Sequence, residues 1–259
     1  MAAPLPARRS PSKSKPNIAR AGTTPGRPRR PRPGRPPSPA TVREIYRRLR
    51  THVGPLDVPR RLEPIDELIL TVLSQNTSDT NRDRAYQAMR ARYPTWEDLA
   101  AADPSELAQA IRPGGLSNIK APRLVSILRE VEARNGGSLD LSWMRRASTE
   151  RVRGYLTSLP GVGPKTAACV LAFSLGRPAL PVDTHVFRVA RRLGFFGEKT
   201  NPDAAHRAME RLVPARIQVR MHVGLIRLGR LICRPRRPSC EICPLFELCP
   251  AGPSFLAHP

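Results

Sequence analysis

Apolar and polar positions recur with the period of a helix along nearly the whole chain after residue 38. Ser38 and Pro39 read as a cap and a first helical residue, and Val42, Ile45, Tyr46 and Leu49 then fall on one face. Pro64 opens a second helix, with Ile65, Leu68, Ile69, Val72 and Leu73 at helical spacing. A helix from Asp79 to Arg92 stops before Pro94. Thr95 begins a short helix, and Asp103-Pro104-Ser105-Glu106 begins another with the capping-box pattern. A longer helix is expected over 117–135, ended by Gly136-Gly137, and another over 149–157. Asp183 precedes a helix that runs to Leu193 and ends at Gly194. No segment sustains the alternation of a half-buried strand, and no repeat of fixed period is evident. The pattern therefore predicts an all-α fold of helices about 8–18 residues long joined by short turns.

Composition supports a core but adds a long polar exception. Hydrophobic residues make up 40% of the 259 residues. Residues 1–37, by contrast, are rich in Pro and Arg and contain no acidic residue. Each proline removes a backbone donor and apolar side chains are few, so this stretch is expected to be a disordered basic tail. No run approaches the ~18 apolar residues of a membrane span, and no secretory pattern opens the chain. A soluble cytoplasmic protein is expected, with no membrane partner.

Charge narrows the class of partner. Lys+Arg number 44 against 21 Asp+Glu, a formal net charge of +23, which points to a polyanion and first to nucleic acid. The basic tail would add non-specific DNA affinity through counterion release. Nearly all the basic residues are Arg, a skew that suggests a GC-rich genome and makes the few lysines conspicuous. Lysine occurs only at 13, 15, 120, 165 and 199.

The most informative segment is Leu159-Pro160-Gly161-Val162-Gly163-Pro164-Lys165-Thr166-Ala167. Gly161 and Gly163 permit a tight turn with exposed N–H groups just ahead of a helix N-terminus, where a phosphate is favoured. Val162 can plug the turn into the core. The string reads as a helix–hairpin–helix, a grip on the DNA backbone that ignores sequence. Lys165 then falls in the first turn of the next helix, where a cation opposes the helix dipole, beside Ala167, Ala168, Cys169 and Val170. A neutral amine there can attack a sugar carbon and form a Schiff base. Contact with phosphate is the equally good local alternative. Downstream, Pro181-Val182-Asp183-Thr184-His185 places Asp183 as a helix cap, a role that leaves one carboxylate oxygen for another partner.

Five cysteines occur, and Cys233, Cys240, Cys243 and Cys249 give C-x6-C-x2-C-x5-C. In a cytosolic chain such a cluster reads as a metal site, and four thiolates suit tetrahedral zinc or an iron–sulfur cluster. Arg234, Arg236 and Arg237 lie between the first two cysteines, on a loop well placed to touch phosphates. Cys169 has no partner in this spacing and reads as a buried small apolar residue.

The hairpin with Lys165, the Val-Asp-Thr-His sequence and the cysteine spacing together resemble the endonuclease III family of DNA glycosylases, in the helix–hairpin–helix superfamily with a Gly/Pro-rich loop and an Asp. The resemblance covers roughly residues 40–250. It implies a two-lobed helical fold: a six-helix barrel lobe over 64–180 carrying the hairpin, and a second lobe from 38–63 and 181–250 holding the cysteines, with 251–259 as a tail. It implies an active site in the cleft between the lobes, with Lys165 as glycosylase and lyase nucleophile, Asp183 assisting the attack or stabilising the departing sugar, and His185 in support. It favours a [4Fe-4S] cluster over zinc, as a structural staple, since base excision needs no electron transfer. It also implies two insertion loops. Gly114–Lys120 carries Leu116 as a wedge, and Leu73–Asp79 carries Gln75 and Asn76, with Asn76 standing where the family's commonest pattern has glutamine. The expected partner is double-stranded DNA bearing damaged bases or abasic sites, bound by a monomer associated with the nucleoid. The expected activity is removal of oxidised pyrimidines followed by β-elimination. Two alternatives follow from the same residues: a monofunctional adenine or mismatch glycosylase, whose members typically lack a lysine at position 165, and a non-catalytic DNA-binding iron–sulfur or zinc protein.

Overall fold

The computed structural model describes Arg30, residues 35–58 and residues 61–257. The tail read over 1–37 falls outside these, apart from Arg30 and residues 35–37. All regular structure among the described residues is helical. In chain order the helices are α1 (Pro39–His52), α2 (Pro64–Leu73), α3 (Asp79–Arg92), α4 (Trp96–Ala101), α5 (Pro104–Ala110), α6 (Ser117–Arg134), α7 (Thr149–Thr157), α8 (Pro164–Cys169), α9 (Thr184–Arg192), α10 (Pro202–Leu212), α11 (Gln218–Leu231) and α12 (Gly252–Ala257). None is long and apolar enough to cross a membrane.

The helix starts are those the cap residues dictate. Ser38 Oγ accepts from Thr41 N, Ser78 Oγ from Asn81 N and Ser148 Oγ from Arg151 N, each at 3.2 Å. Such side chains satisfy N–H groups that the first turn leaves without partners, at about 1 kcal/mol per cap. One expected detail is displaced. Asp103 does cap α5, accepting from Ser105 N at 2.7 Å and from Glu106 N at 3.3 Å, but the reciprocal donation from Asp103 N to the Glu106 carboxylate is absent. The Glu106 carboxylate is drawn instead to Arg92, 2.6 Å away. The capping box forms at α4, where Thr95 and Asp98 exchange two bonds of 3.0 Å.

The chain divides into two compact units, one over 61–177 and one over 35–58 and 178–257. The core of the first is built from Leu68, Ile69, Val72 and Leu73 of α2 and Leu124, Ile127 and Leu128 of α6, all fully buried. That of the second joins Val42, Ile45 and Leu49 of α1 to Val186 and Val189 of α9 and to Leu225 and Leu228 of α11. Each such side chain contributes about 1.5–3 kcal/mol on leaving water. Two features escape the periodicity. α8 runs on as a π-helical turn over Val170–Ser174, and residues 252–257 of the tail form a short helix.

Candidate active site

In the first unit the hairpin has the expected construction. Gly161 adopts a left-handed backbone (φ 70°), and Val162 N bonds back to Leu159 O at 3.2 Å. Val162 is buried while Gly161 and Gly163 are exposed, so the side chain anchors a turn whose backbone faces solvent. A Cβ on Gly161 would stand 2.6 Å from Arg123 Nε. Glycine is favoured by the left-handed turn, and an added Cβ would also displace the end of the Arg123 side chain.

Lys165 occupies the second position of α8 and is half-buried. Its amine and the Thr71 hydroxyl both reach the Cys169 thiol, one helical turn on. Burial pushes that thiol up to about 11, so Cys169 is the inert buried residue expected of it. Thr71 also donates to the buried Glu67 carboxylate at 3.2 Å. Lys165, Cys169, Thr71 and Glu67 thus form a small group of polar side chains shared by α8 and α2. Glu67 and Thr71 were not singled out by sequence, although both fall within an apolar helix where a polar residue needs a partner.

The two expected insertion loops flank α2 and α6. Gln75 is half-buried, and its Oε1 accepts from Arg123 at 3.0 Å. Asn76 is exposed and left-handed (φ 52°). The outward residue is thus Asn76, and Gln75 is the anchor beneath it. Leu116 is 48% exposed and left-handed as well (φ 51°).

In the second unit Asp183 caps α9, its Oδ1 accepting from Val186 N at 2.7 Å. Oδ2 lies outside that bond. His185 follows on the first turn, at a close packing point with α11 where a Cβ on Gly229 would lie 3.1 Å from His185 Cβ. Arg188 stands 3.1 Å from His185 Nδ1. Arginine only donates, so Nδ1 is the acceptor and the ring proton sits on Nε2. Burial lowers the His185 pKa, in keeping with a neutral ring.

The four cysteines Cys233, Cys240, Cys243 and Cys249 line one partly open pocket together with Arg192 and Phe255. No three His, Cys, Asp or Glu among the described residues are grouped as ligands for a single metal ion. A four-iron cluster makes a different demand, because each cysteine binds its own iron and the donors surround a volume. The arrangement fits that demand. Burial pushes the Cys243 thiol up to about 12 and Cys249 up to about 11, favouring the neutral thiols.

Three arginines fasten this segment to the helices. Arg48 donates to Pro244 O at 2.9 Å and to Glu247 at 3.0 Å. Arg188 donates to Cys233 O at 3.0 Å. Arg192 donates to Arg234 O and Pro235 O, both at 2.7 Å, and to Cys233 Sγ at 3.2 Å. Arg188 and Arg192 lie on the helix that Asp183 begins. Arg234, Arg236 and Arg237 are exposed, so this fastening holds three cations towards solvent.

Comparison with known proteins bears on these features. A model of the HhH-GPD superfamily of base excision DNA repair proteins matches residues 69–215. Endonuclease III of Thermotoga maritima is 36% identical over 209 residues, covering 80% of this chain and 90% of its own. An endonuclease III–DNA complex trapped as a covalent intermediate superposes with a TM-score of 0.69 at 29% identity, covering 84% of this chain and 96% of the other. A thermostable thymine-DNA glycosylase superposes with a TM-score of 0.65, also at 29% identity, covering 83% and 95%.

Proposed function

The chain belongs to the endonuclease III family of the HhH-GPD superfamily and is a DNA glycosylase of base excision repair; on that premise we propose that it removes oxidised pyrimidines from duplex DNA and cuts the abasic strand through a Schiff base on Lys165. The observation that carries this reading is the position of Lys165, half-buried immediately beyond an exposed glycine hairpin.

The target nucleotide leaves the stack first, because its sugar is out of reach inside a duplex. The hairpin N–H groups hold the backbone, while Leu116 and Asn76 occupy the space left behind. The Lys165 amine then attacks C1′. A C1′–N bond forms as the glycosidic bond breaks and the base departs with its electron pair. Asp183 stabilises positive charge on the sugar. The sugar ring opens to the imine, a proton leaves C2′, and the bond from C3′ to its phosphate breaks by β-elimination. Hydrolysis of the imine returns free Lys165. Cys233, Cys240, Cys243 and Cys249 would hold a [4Fe-4S] cluster, which when bound supplies a structural clamp on the 233–249 segment. The exposed Arg234, Arg236 and Arg237 contact phosphates, and His185 supports Asp183 as a neutral ring.

Borohydride reduces such an imine to a stable protein–DNA adduct. Wild type is expected to form it on abasic DNA, and Lys165→Gln to lose it by about 1,000-fold or more. Adduct at the wild-type level in Lys165→Gln would sink the assignment. A second reading, a monofunctional mismatch glycosylase, draws support from the likeness to a thymine-DNA glycosylase. Duplexes each bearing one lesion, scored separately for base release and strand nicking, separate the two: release without nicking favours the second.

A further inference from the structure

We infer that Lys120 and Arg123 are positioning residues that set the two insertion loops, making α6 the part that aims the protein's wedge at the base stack; this rests on the reading of those loops under the proposed function.

Lys120 is only 1% exposed. Its Nζ donates to Leu73 O and to Gly114 O, both at 2.8 Å. Leu73 is the last residue of α2, where the Asn76 loop departs, and Gly114 lies two residues before Leu116. One ammonium therefore joins the roots of both loops. The backbone of the same residue holds the second loop again, since Lys120 N donates to Leu116 O at 2.9 Å. Arg123 is one turn further along the same face of α6. It grips Gln75 directly and lies against Gly161, so it joins the Asn76 loop to the hairpin. Two neighbouring cations on one helix thus touch three of the segments that meet DNA in the proposed mechanism, the two insertion loops and the hairpin.

The backbone gives an independent sign that these contacts impose a geometry. Asn76 and Leu116 are the two non-glycine residues with positive φ among the described residues, and each loop has one. Asn tolerates that region, but leucine does not favour it. Such conformations persist only where the surroundings over-determine them. Lys120 supplies that constraint at Leu116, with its side chain on Gly114 and its main chain on Leu116. A residue serving only to fill the core would not need to be a cation, and burial disfavours this one.

The test uses the full chain and a duplex with a tetrahydrofuran abasic analogue flanked by 2-aminopurine, whose fluorescence rises as stacking is lost. Under saturating protein, Arg123→Ala is expected to slow the rise about tenfold. Lys120→Met is expected to slow it by about 100-fold, the effect of a misplacement near 1 Å. Affinity for the single-stranded oligonucleotide should change by less than about twofold in either variant. Arg123→Ala exposes no buried carbonyl, so it carries the test if Lys120→Met fails to fold. Wild-type opening rates in Arg123→Ala would overturn the inference, and so would a parallel loss of opening and single-strand binding, the mark of a general defect. Wild-type protein that opens the duplex but gives no borohydride adduct would sink the lyase reading and leave this one standing. Wild type that never opens the duplex would sink this one.

Discussion

The insertion loops of the first unit and the cysteine segment of the second are both held by cations donating to backbone carbonyls, yet the two are fastened on different principles. The loops depend on one helix, α6, and share a single buried ammonium at their roots. The cysteine segment is tied by Arg48 from α1 and by Arg188 and Arg192 from α9, and its four cysteines line one pocket. A shared point contact makes two loops move together and fail together. A distributed network loses strength in steps, because each arginine meets its own carbonyls. The first arrangement suits parts that must keep a fixed spacing to each other. The second suits a platform that carries exposed charge.

The largest blow to the distributed side is loss of its thiols. Cys243→Ser should abolish retained iron, measured by metal analysis. Structural metal binding contributes folding free energy directly, so a fall in Tm on the order of 10 °C is expected by calorimetry. Unchanged iron content would show that the four cysteines do not act as one donor set. On the point-contact side, Gly161→Ala places an alanine at φ 70° against Arg123, costing about 1–3 kcal/mol. If α6 links the hairpin to the Asn76 loop, hydrogen exchange should rise at Gln75 as well as at the hairpin; exchange confined to residues 159–163 would break the comparison. A smaller effect tests the platform. Arg236→Ala should reduce the slope of log affinity against log salt by about one while leaving lesion preference alone. A changed preference with an unchanged slope would mean that Arg236 reads bases.

The smallest effect comes from pH. Arg47 holds the Glu44 carboxyl well below its usual 4.5, at about 2, with a further contribution from Arg48, the arginine that grips Pro244. A depressed folded-state value contributes stability above the unfolded value and loses it as pH falls through the folded one. Glu44→Gln should therefore melt slightly below wild type at pH 6, and the gap should close between pH 4.5 and 2. A gap that persists at the acid end would assign the difference to packing.

Much of this was legible in the sequence, for identifiable reasons. Ser38, Ser78, Thr95, Asp103 and Ser148 announce helix starts through short-range chemistry that needs no tertiary context. The Gly161-Val162-Gly163 turn is equally local. What stayed hidden depends on where side chains go in three dimensions. Lys120 falls in step with Leu124, Ile127 and Val131 on the buried face of α6, a pattern that could have marked it as inward-facing. Its partners at Leu73 and Gly114 could not be read. The choice between Gln75 and Asn76 turned on Arg123, 48 residues away. The missing capping box at Asp103 turned on Arg92, and the π-helical turn after Cys169 has no marker in the periodicity at all.

Leu116 carries one last consequence, for anyone who engineers this chain. A leucine held at φ 51° keeps the folded state about 1 kcal/mol or more above what glycine would allow, so a thermostability screen should enrich Leu116→Gly. The winners of such a screen would melt later and repair worse, having exchanged a rigid wedge for a supple one. Selection for heat resistance and selection for lesion turnover should therefore pull this position in opposite directions.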